Sequence, residues 1–292
     1  MDWIFLAILA PFLWSVSNLI DKFLLTHKLK NPLSSMTLFA AVCFLSLIPT
    51  YLIHPPSSIS TLNLTLTLFV GILNTLVSYF YFRALYLEEV SRIIPWFYIS
   101  PIFIMIFAAI FLGESLSPWN YLGTILLVAG AFLITFKKNL SLGKAFWLMM
   151  ACMLVSAIGS VITKQLLNIA DYWTVFFYNR LGTLILAIPL AIGSFKDFRN
   201  AVKKNGNSII TFIAISEALA VFGLFIFNIA TQQASVTVVN AISSIQPLFM
   251  LVLAVIISRF FSHIIKEDIS RKTLFLKFIA VALIILGAFL VT

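Results

Sequence analysis

Long apolar runs alternate with short polar interruptions along the whole chain. Most runs approach the ~20 residues that a helix needs to cross the hydrocarbon core of a bilayer. The interruptions contain prolines, serines and charged residues, which are typical of turns and loops. The pattern predicts ten transmembrane helices, near residues 3–25, 33–53, 64–86, 91–112, 119–136, 145–168, 172–194, 207–230, 235–258 and 273–291.

The second half of the chain repeats features of the first half. The sequence GAFLIT at Gly130–Thr135 returns as GAFLVT at Gly287–Thr292, and each copy closes an apolar run. The stretch Ala84–Pro101 likewise has the same length as Ala230–Pro247. Spacing that is constant within segments and shifts only in loops indicates a duplication.

The duplication predicts an all-α integral membrane protein built from two five-helix repeats, residues 1–138 and 139–292, in one bundle. Because five is an odd number, the second repeat enters the membrane from the opposite side, and the repeats are inverted. Inverted repeats are a transporter architecture, with the binding site near the bilayer midplane between the halves.

Composition agrees with this class of protein. The chain is 62% hydrophobic and 10% charged, whereas soluble domains have roughly 45–50% apolar and about 25% charged residues. We therefore expect no sizeable soluble domain, and a first run that is a retained helix. Cys43 and Cys152 lie inside apolar runs and are expected to be packing residues, not a disulfide or a metal pair.

The net charge of +9 is a topology signal. Of the 19 Lys and Arg residues, 17 lie in or beside connections on the side of the membrane opposite the two termini, and the remaining two, Lys164 and Arg180, lie within runs. The positive-inside rule places those connections in the cytoplasm and both termini outside the cell membrane. The same distribution argues against a nucleic-acid partner.

Several short motifs resemble the EamA-type branch of the drug/metabolite transporter superfamily. They are Trp14…Asn18…Lys22, the Ala84–Pro101 stretch and its copy, Leu112-Gly113-Glu114, Gly123…Gly130 and Asn179-Arg180-Leu181.

The resemblance implies export or uptake of a small organic solute by alternating access, in a cavity lined by spans 1, 3, 4, 6, 8 and 9. The chain departs from the family pattern at Ala40, the first-half counterpart of Arg180, and at Ser258-Arg259-Phe260, where a Gly-Glu pair would be expected. Family members are also commonly drawn with cytoplasmic termini, opposite to the charge bias.

Two charged residues within the runs are the main functional candidates, because such groups are expensive in lipid and usually face the bundle interior. Glu217 is the only acid near the middle of a run. It either couples proton movement or binds a substrate amine, or it is a structural partner of Arg180. Arg180 lies too deep to snorkel easily and needs a partner or a water-filled cavity. Lys164 can snorkel to the interface.

Polar and aromatic residues within the spans complete the predicted substrate-binding set. Asn240, Ser243, Ser244 and Pro247 follow helical spacing and would line a cavity or pack helix against helix. Pro101 and Pro247 interrupt backbone hydrogen bonding and are either hinges or static bends. The full set is Trp14, Asn18, Asn74, Ser78, Trp96, Tyr98, Arg180, Glu217, Asn240, Ser243 and Ser244.

Catalytic, nucleotide-binding and metal-binding motifs are absent from the sequence. We therefore predict no enzyme activity, no metal and no cofactor, with a small-molecule substrate and the lipid bilayer as partners. The favoured function is a secondary transporter of a small organic metabolite, with proton coupling left open. The alternatives are a non-transporting membrane scaffold or assembly subunit and a flippase for a lipid-linked sugar.

Overall fold

The computed structural model describes residues 3–27, 31–88, 96–135, 143–260 and 271–291. In these ranges the regular structure is helical, without strands. A single 3₁₀ turn, Pro32–Ser34, precedes the second helix. The α-helices are α1 Trp3–His27, α2 Ser35–Ile53, α3 Thr61–Leu87, α4 Ser100–Phe111, α5 Pro118–Thr135, α6 Lys144–Leu167, α7 Tyr172–Asn205, α8 Ser208–Gln233, α9 Val236–Ser243, α10 Gln246–Phe260 and α11 Arg271–Val291.

The described helices make the chain a multi-pass membrane protein. Seven segments are long and apolar enough to cross a bilayer: α1, α2, α3, α6, α7, α8 and the α9–α10 segment Val236–Leu253. The other three predicted spans correspond to shorter apolar helices, Ser100–Phe111, Pro118–Leu133 and Phe275–Val291. Large apolar side chains cover the outside of the bundle, including Leu52, Phe278 and Phe289, which are 75%, 74% and 78% exposed.

Helix α7 is longer than expected. Its predicted end near residue 194 is wrong, because the helix continues to Asn205 and has 34 residues. At ~1.5 Å per residue it exceeds the ~30 Å hydrocarbon core. The helix ends at Gly206, whose φ of +79° lies in the left-handed region that glycine adopts without steric strain.

The predicted ninth span is not one continuous helix. It breaks between α9 and α10, where the Ile245 amide donates to the Ile242 carbonyl at 3.0 Å and the Leu248 amide donates to the Ile245 carbonyl at 2.9 Å. Pro247 has no amide hydrogen, so it cannot continue the α-helical ladder. The predicted stripe from Asn240 to Pro247 therefore does not lie along one helix face.

The same break precedes α4. The Ile99 amide donates to the Trp96 carbonyl at 3.3 Å, and the Ile102 amide donates to the Ile99 carbonyl at 3.0 Å. Pro101 occupies the first turn of α4, where a missing amide hydrogen is tolerated. Both prolines thus start a helix, although residues 89–95 of the Ala84–Pro101 stretch lie outside the described residues.

The two helices that carry the GAFL sequence pack against each other. A Cβ atom on Gly123 would lie 2.8 Å from the Gly287 carbonyl oxygen, and one on Gly287 would lie 2.7 Å from the Gly123 carbonyl oxygen. Further along, Gly130 faces the carbonyl of Ala280. Residue numbers rise on α5 as they fall on α11, so the two helices are antiparallel. Small residues allow this close approach. Thr292, which ends the second copy, is outside the described ranges.

Two other long helix pairs surround the centre of the bundle. In the α1–α8 pair, the Trp14 indole donates to the Ala220 carbonyl at 3.2 Å. In the α3–α6 pair, the Cys152 thiol donates to the Val77 carbonyl at 3.3 Å. Cys43 and Cys152 are both buried with free thiols. The first pair joins spans 1 and 8, and the second joins spans 6 and 3.

Helices α3 and α7 approach each other through two glycines. A Cβ atom on Gly182 would overlap the Leu68 backbone, and one on Gly71 would overlap the Asn179 backbone. A side chain at either glycine would therefore push the two helices apart.

We expect Gly182→Ala to lower the free energy of unfolding by about 1–3 kcal/mol, the usual effect of overpacking. The matched control is Gly193→Ala in the same helix, where an added Cβ would have no neighbour within 4 Å. The melting temperatures of both variants in detergent measure the difference. Equal melting temperatures would contradict the close approach of α3 and α7.

Candidate functional site

A cavity of about 370 Å³ lies between the helices of the described bundle. Its volume falls in the range of small-molecule sites, about 300–1,000 Å³. Side chains from α1, α3, α6, α8 and α9 line it, together with the turns before α4 and α10. The wall thus includes all six expected spans. Helix α2 adds Phe39, and helix α7 adds Asn179 and Arg180.

Most of the predicted site residues come together in this cavity. The exception is Trp96, which lies outside the wall and packs at ring-centroid distances of 4.7 Å from Phe146 and 5.9 Å from Phe132. Its inclusion in the predicted site is not supported by the geometry. The lining residues from the predicted set are Trp14, Asn18, Asn74, Ser78, Tyr98, Arg180, Glu217, Asn240, Ser243 and Ser244.

Arg180 is the cation of the cavity wall and is only 2% exposed. Its Nη1 donates to the Cys43 Sγ at 3.4 Å, and its Nη2 donates to the Asn179 Oδ1 at 3.4 Å. The guanidinium carbon lies 5.0 Å from the Phe176 ring centroid. The buried Nε has no hydrogen-bond partner in the structure. Every described contact of this charge is therefore with a neutral group.

Glu217 faces the same cavity from α8 and is 8% exposed. It forms no ion pair with Arg180, and no described residue donates a hydrogen bond to its carboxylate. The interpretation of Glu217 as a direct partner of Arg180 is therefore wrong for this conformation.

Asp21 is a second carboxylate in the cavity, and the sequence analysis missed it. It lies on α1, and its Oδ1 accepts a hydrogen bond of 2.6 Å from the Ser216 hydroxyl on α8. The Ser216 and Ser17 hydroxyls are also 2.9 Å apart. Asp21 follows Trp14 by seven residues, which places both side chains on one face of α1. That spacing was the available signal.

Neutral polar side chains fill the wall between the charges. The Asn74 side-chain amide donates to the Asn179 Oδ1 at 3.0 Å. The Asn240 amide donates to the Val236 carbonyl at 2.9 Å, and the Ser243 hydroxyl donates to the Asn240 carbonyl at 2.6 Å. The buried Ser244 hydroxyl, at the α9–α10 break, has no hydrogen-bond partner among the described residues.

Lys164 and Glu114 hold the connection between α8 and α9. The Lys164 ammonium donates to the Thr231 carbonyl at 2.8 Å and to the Ala234 carbonyl at 2.7 Å. The Glu114 carboxylate accepts from the Ser235 hydroxyl at 2.7 Å and from the Val236 amide at 3.0 Å. A cation at a helix C-terminus and an anion at a helix N-terminus are both favoured by the helix dipole. Lys164 thus caps α8, whereas we expected it to snorkel.

Comparison with known proteins shows a likeness to a transporter family in the first part of the chain. Residues 1–136 match the sequence model of the EamA-like transporter family. The first part of the chain, just under half of its 292 residues, is therefore similar to this family. A protein from Sinorhizobium sp., described as an uncharacterized transporter in the cobO 3' region, is 43% identical over 54 residues. That alignment covers 18% of this chain and 38% of the relative.

A protein of known crystal structure has the same fold over almost the whole chain. The superposition has a TM-score of 0.74 and covers 99% of this chain and 96% of the other, at 19% sequence identity. The likeness therefore extends beyond the EamA-like region into the second half. At this identity it concerns the fold alone.

Residues of the EamA-like motifs line the cavity or cap a helix at its edge. Trp14 and Asn18 line the wall, Arg180 provides its cation, and Glu114 caps α9 at the edge of the wall formed by Val236. The side chain of Lys22 lies outside the described residues. The motifs that carried the family resemblance therefore mark both the cavity and the helix ends that enclose it.

We expect Arg180→Met to keep or raise the free energy of unfolding, because replacing an uncompensated buried charge by an apolar side chain is often neutral or stabilising by about 1–4 kcal/mol. Arg180→Ala is the size control and should lose about 2–5 kcal/mol by creating a void. Chemical denaturation in detergent measures both. A large loss of stability in Arg180→Met would show that the guanidinium itself holds the bundle together.

Proposed function

We propose that the protein is a secondary transporter that moves a small organic metabolite across the cell membrane by alternating access. The observation that carries the proposal is the polar, charged cavity of about 370 Å³ inside a bundle with an apolar outer surface. The match of residues 1–136 to a transporter family and the transporter-named relative support it. A scaffold needs no such cavity, and buried unpaired charges would only destabilise it.

Alternating access in this protein would depend on two inverted five-helix repeats, residues 1–138 and 139–292, that together span the membrane ten times. The helix pairs support this proposal. Exchanging the halves converts the α1–α8 pair into the α6–α3 pair, and α5 and α11 pack antiparallel, as inverted repeats require. The match to the family ends at residue 136, close to the proposed boundary.

The two helix breaks are the proposed hinges. They fall at equivalent positions, before Pro101 in the first half and before Pro247 in the second. Both border the cavity through Tyr98 and Ser244. A helix that is already interrupted can change direction without losing further backbone hydrogen bonds, so motion at these points would open or close the cavity.

Glu217 is the proposed coupling group. It faces the cavity, and no described residue donates a hydrogen bond to its carboxylate or forms an ion pair with it, so this carboxylate is proposed to take up and release the proton. The charged and titratable groups around it are Asp21 on α1, Cys43 on α2, Tyr81 on α3 and Arg180 on α7.

We expect Glu217→Gln to abolish proton movement without preventing solute binding, because the amide keeps the size of the side chain and cannot titrate. Proteoliposomes loaded with a pH-sensitive dye, challenged with amino acids, nucleosides, sugars and phosphates, measure proton movement. Thermal shift with the same panel measures binding. An unchanged pH signal in Glu217→Gln would exclude the coupling role. If no compound of the panel changes the melting temperature of the wild-type protein or is transported by it, the scaffold function is favoured.

Cysteine labelling tests the inverted repeats and the orientation together. Ser57, in the connection between α2 and α3, and Asn207, in the equivalent connection between α7 and α8, should lie on opposite sides of the membrane. Ser57→Cys should react with an impermeant maleimide in intact cells, because the charge bias places it outside, and Asn207→Cys should react only after permeabilisation. The native Cys43 and Cys152 are fully buried and give little background.

The labelling outcomes separate the two claims. Labelling of both positions from the same side would exclude inverted repeats. Labelling of Asn207→Cys alone in intact cells would preserve the inverted repeats and reverse the orientation.

A further inference from the structure

The last turns of α7 continue beyond the thickness of the bilayer core. The helix has 34 residues, from Tyr172 to Asn205. Tyr and Trp concentrate at membrane interfaces, and Ile192 lies 19 residues after Trp173, counted from their numbers. At ~1.5 Å per residue this separation is about 28 Å, close to the ~30 Å thickness of the core. Residues 195–205, termed the α7 extension, therefore lie at and beyond the lipid headgroups.

One side of the α7 extension packs against the protein. Phe198, Ala201 and Val202 follow helical spacing and share one helix face. They contact an apolar cluster from α1 and α8, whose buried members are Leu24, Ile209 and Ile213. This packing fixes the rotation of the extension about its own axis, so the residues that face away from the bundle are fixed as well.

The side that faces away from the bundle carries a basic stripe, formed by Lys196, Arg199 and Lys203. All three residues are exposed, and their spacing of three and four residues places them on one helix face. The same face continues towards the bilayer with Ile192 and Phe195, which are 71% and 52% exposed. A single face of α7 therefore changes from apolar to basic where the helix leaves the bilayer core.

The basic stripe has no counter-charge among the described residues. Its three side chains form no ion pair or hydrogen bond with another described residue. The acid of the α7 extension, Asp197, accepts a hydrogen bond of 2.6 Å from the Asn31 side-chain amide. Asp197 lies two residues before Arg199, so the two side chains do not face each other. The negative charge that the stripe lacks must therefore come from another molecule.

The helix dipole does not account for the stripe. Lys203 lies in the last turn of α7, where a cation is favoured by the dipole. The effect falls off beyond that turn, and Lys196 and Arg199 precede it. A separate reason is needed for cations at these two positions.

The direction of α7 brings the stripe to the headgroups. Side chains of an α-helix tilt towards its N-terminus, and the N-terminal part of α7 lies in the bilayer. The long Lys and Arg side chains therefore lean back towards the membrane surface, where phosphate oxygens accept charge-assisted hydrogen bonds. A lipid would also cover Ile192 and Phe195 with its acyl chains, whereas a soluble anion would leave these apolar residues unused.

We propose that the basic stripe binds anionic phospholipids, with their headgroups on Lys196, Arg199 and Lys203 and their acyl chains along Ile192 and Phe195. This surface lies on the outside of the bundle, away from the cavity and its lining residues. The inference does not depend on the proposed transport. A lipid bound there would anchor the connection between α7 and α8 at the membrane surface.

A fluorescent reporter at Ile192 measures which lipid occupies this surface. Full-length Ile192→Cys protein is labelled with a bimane maleimide and reconstituted in nanodiscs of phosphatidylglycerol and phosphatidylcholine. One of the two lipids carries brominated chains, which quench a nearby fluorophore, so paired series give the relative association constant of the anionic lipid. The reference reporter is Leu62→Cys at the start of α3, which is 69% exposed. The native Cys43 and Cys152 are fully buried.

We expect phosphatidylglycerol to be preferred at the Ile192 reporter and not at the Leu62 reporter. Arg199→Gln should lower the relative association constant about fivefold, the usual contribution of one basic residue near an anionic membrane surface. The triple variant Lys196→Gln, Arg199→Gln, Lys203→Gln should abolish the preference. Salt at 1 M should abolish it as well, because the Debye length falls from about 10 Å at 0.1 M to about 3 Å.

Two neighbouring lysines provide the matched control. Lys203 and Lys204 are both exposed and both lie in the last turn of α7, but successive residues of a helix are rotated by about 100°. Lys203→Gln should therefore lower the constant at least about twofold, and Lys204→Gln should leave it unchanged. Melting temperatures in phosphatidylcholine nanodiscs should be equal for all these variants, because the substituted side chains are exposed.

Three results would overturn the inference. The first is an equal relative association constant at the Ile192 and Leu62 reporters. The second is an equal effect of Lys203→Gln and Lys204→Gln, which would show that net charge and not the stripe attracts the lipid. The third is binding of a short RNA by the wild-type protein in phosphatidylcholine nanodiscs that the triple variant loses, which would assign the stripe to a soluble polyanion.

Discussion

The apolar surroundings of the bundle make a buried charge unfavourable unless it is compensated, and the buried charged residues fall into two groups. Lys164 and Glu114 are compensated by the backbone, because the ammonium lies at the carbonyl end of α8 and the carboxylate at the amide end of α9. Arg180 and Glu217 have no charged partner among the described residues. The first pair holds a helix connection in place, whereas the second pair faces the cavity.

The backbone is subject to the same requirement, because water is absent from the hydrocarbon core. A proline that interrupts a helix leaves polar groups without helical partners, and these groups must find partners inside the protein. At the α9–α10 break, the Ser15 hydroxyl on α1 lies 3.1 Å from the Gln246 carbonyl and 2.7 Å from the Pro11 carbonyl of its own helix, so its one hydrogen is shared between two acceptors. The break therefore occurs where a neighbouring helix can supply a hydrogen bond and where the cavity provides space.

Much of the cavity wall could be predicted, because polar side chains within apolar runs are unfavourable in lipid and usually face the bundle interior. This reasoning worked for Asn74, Ser78 and Asn240, which line the cavity. It failed for Trp96, because an aromatic ring packs as well in an apolar core as in a cavity wall. Trp96 packs on Phe146. It also missed Asp21, because a charge near the end of a run resembles a loop residue until α8 is packed beside it.

The sequence by itself determined the apolar runs, the duplicated GAFL and proline positions and the charge asymmetry of the connections, since these are properties of spacing and composition along the chain. Only the tertiary structure decided which charges have partners. Arg180 and Glu217 are 37 residues apart in the sequence, counted from their numbers, and only the packing of α7 and α8 against α1 and α2 sets whether their side chains meet. Hydrogen bonds and ion pairs depend on distances of a few ångströms between different helices, and linear spacing carries no such information.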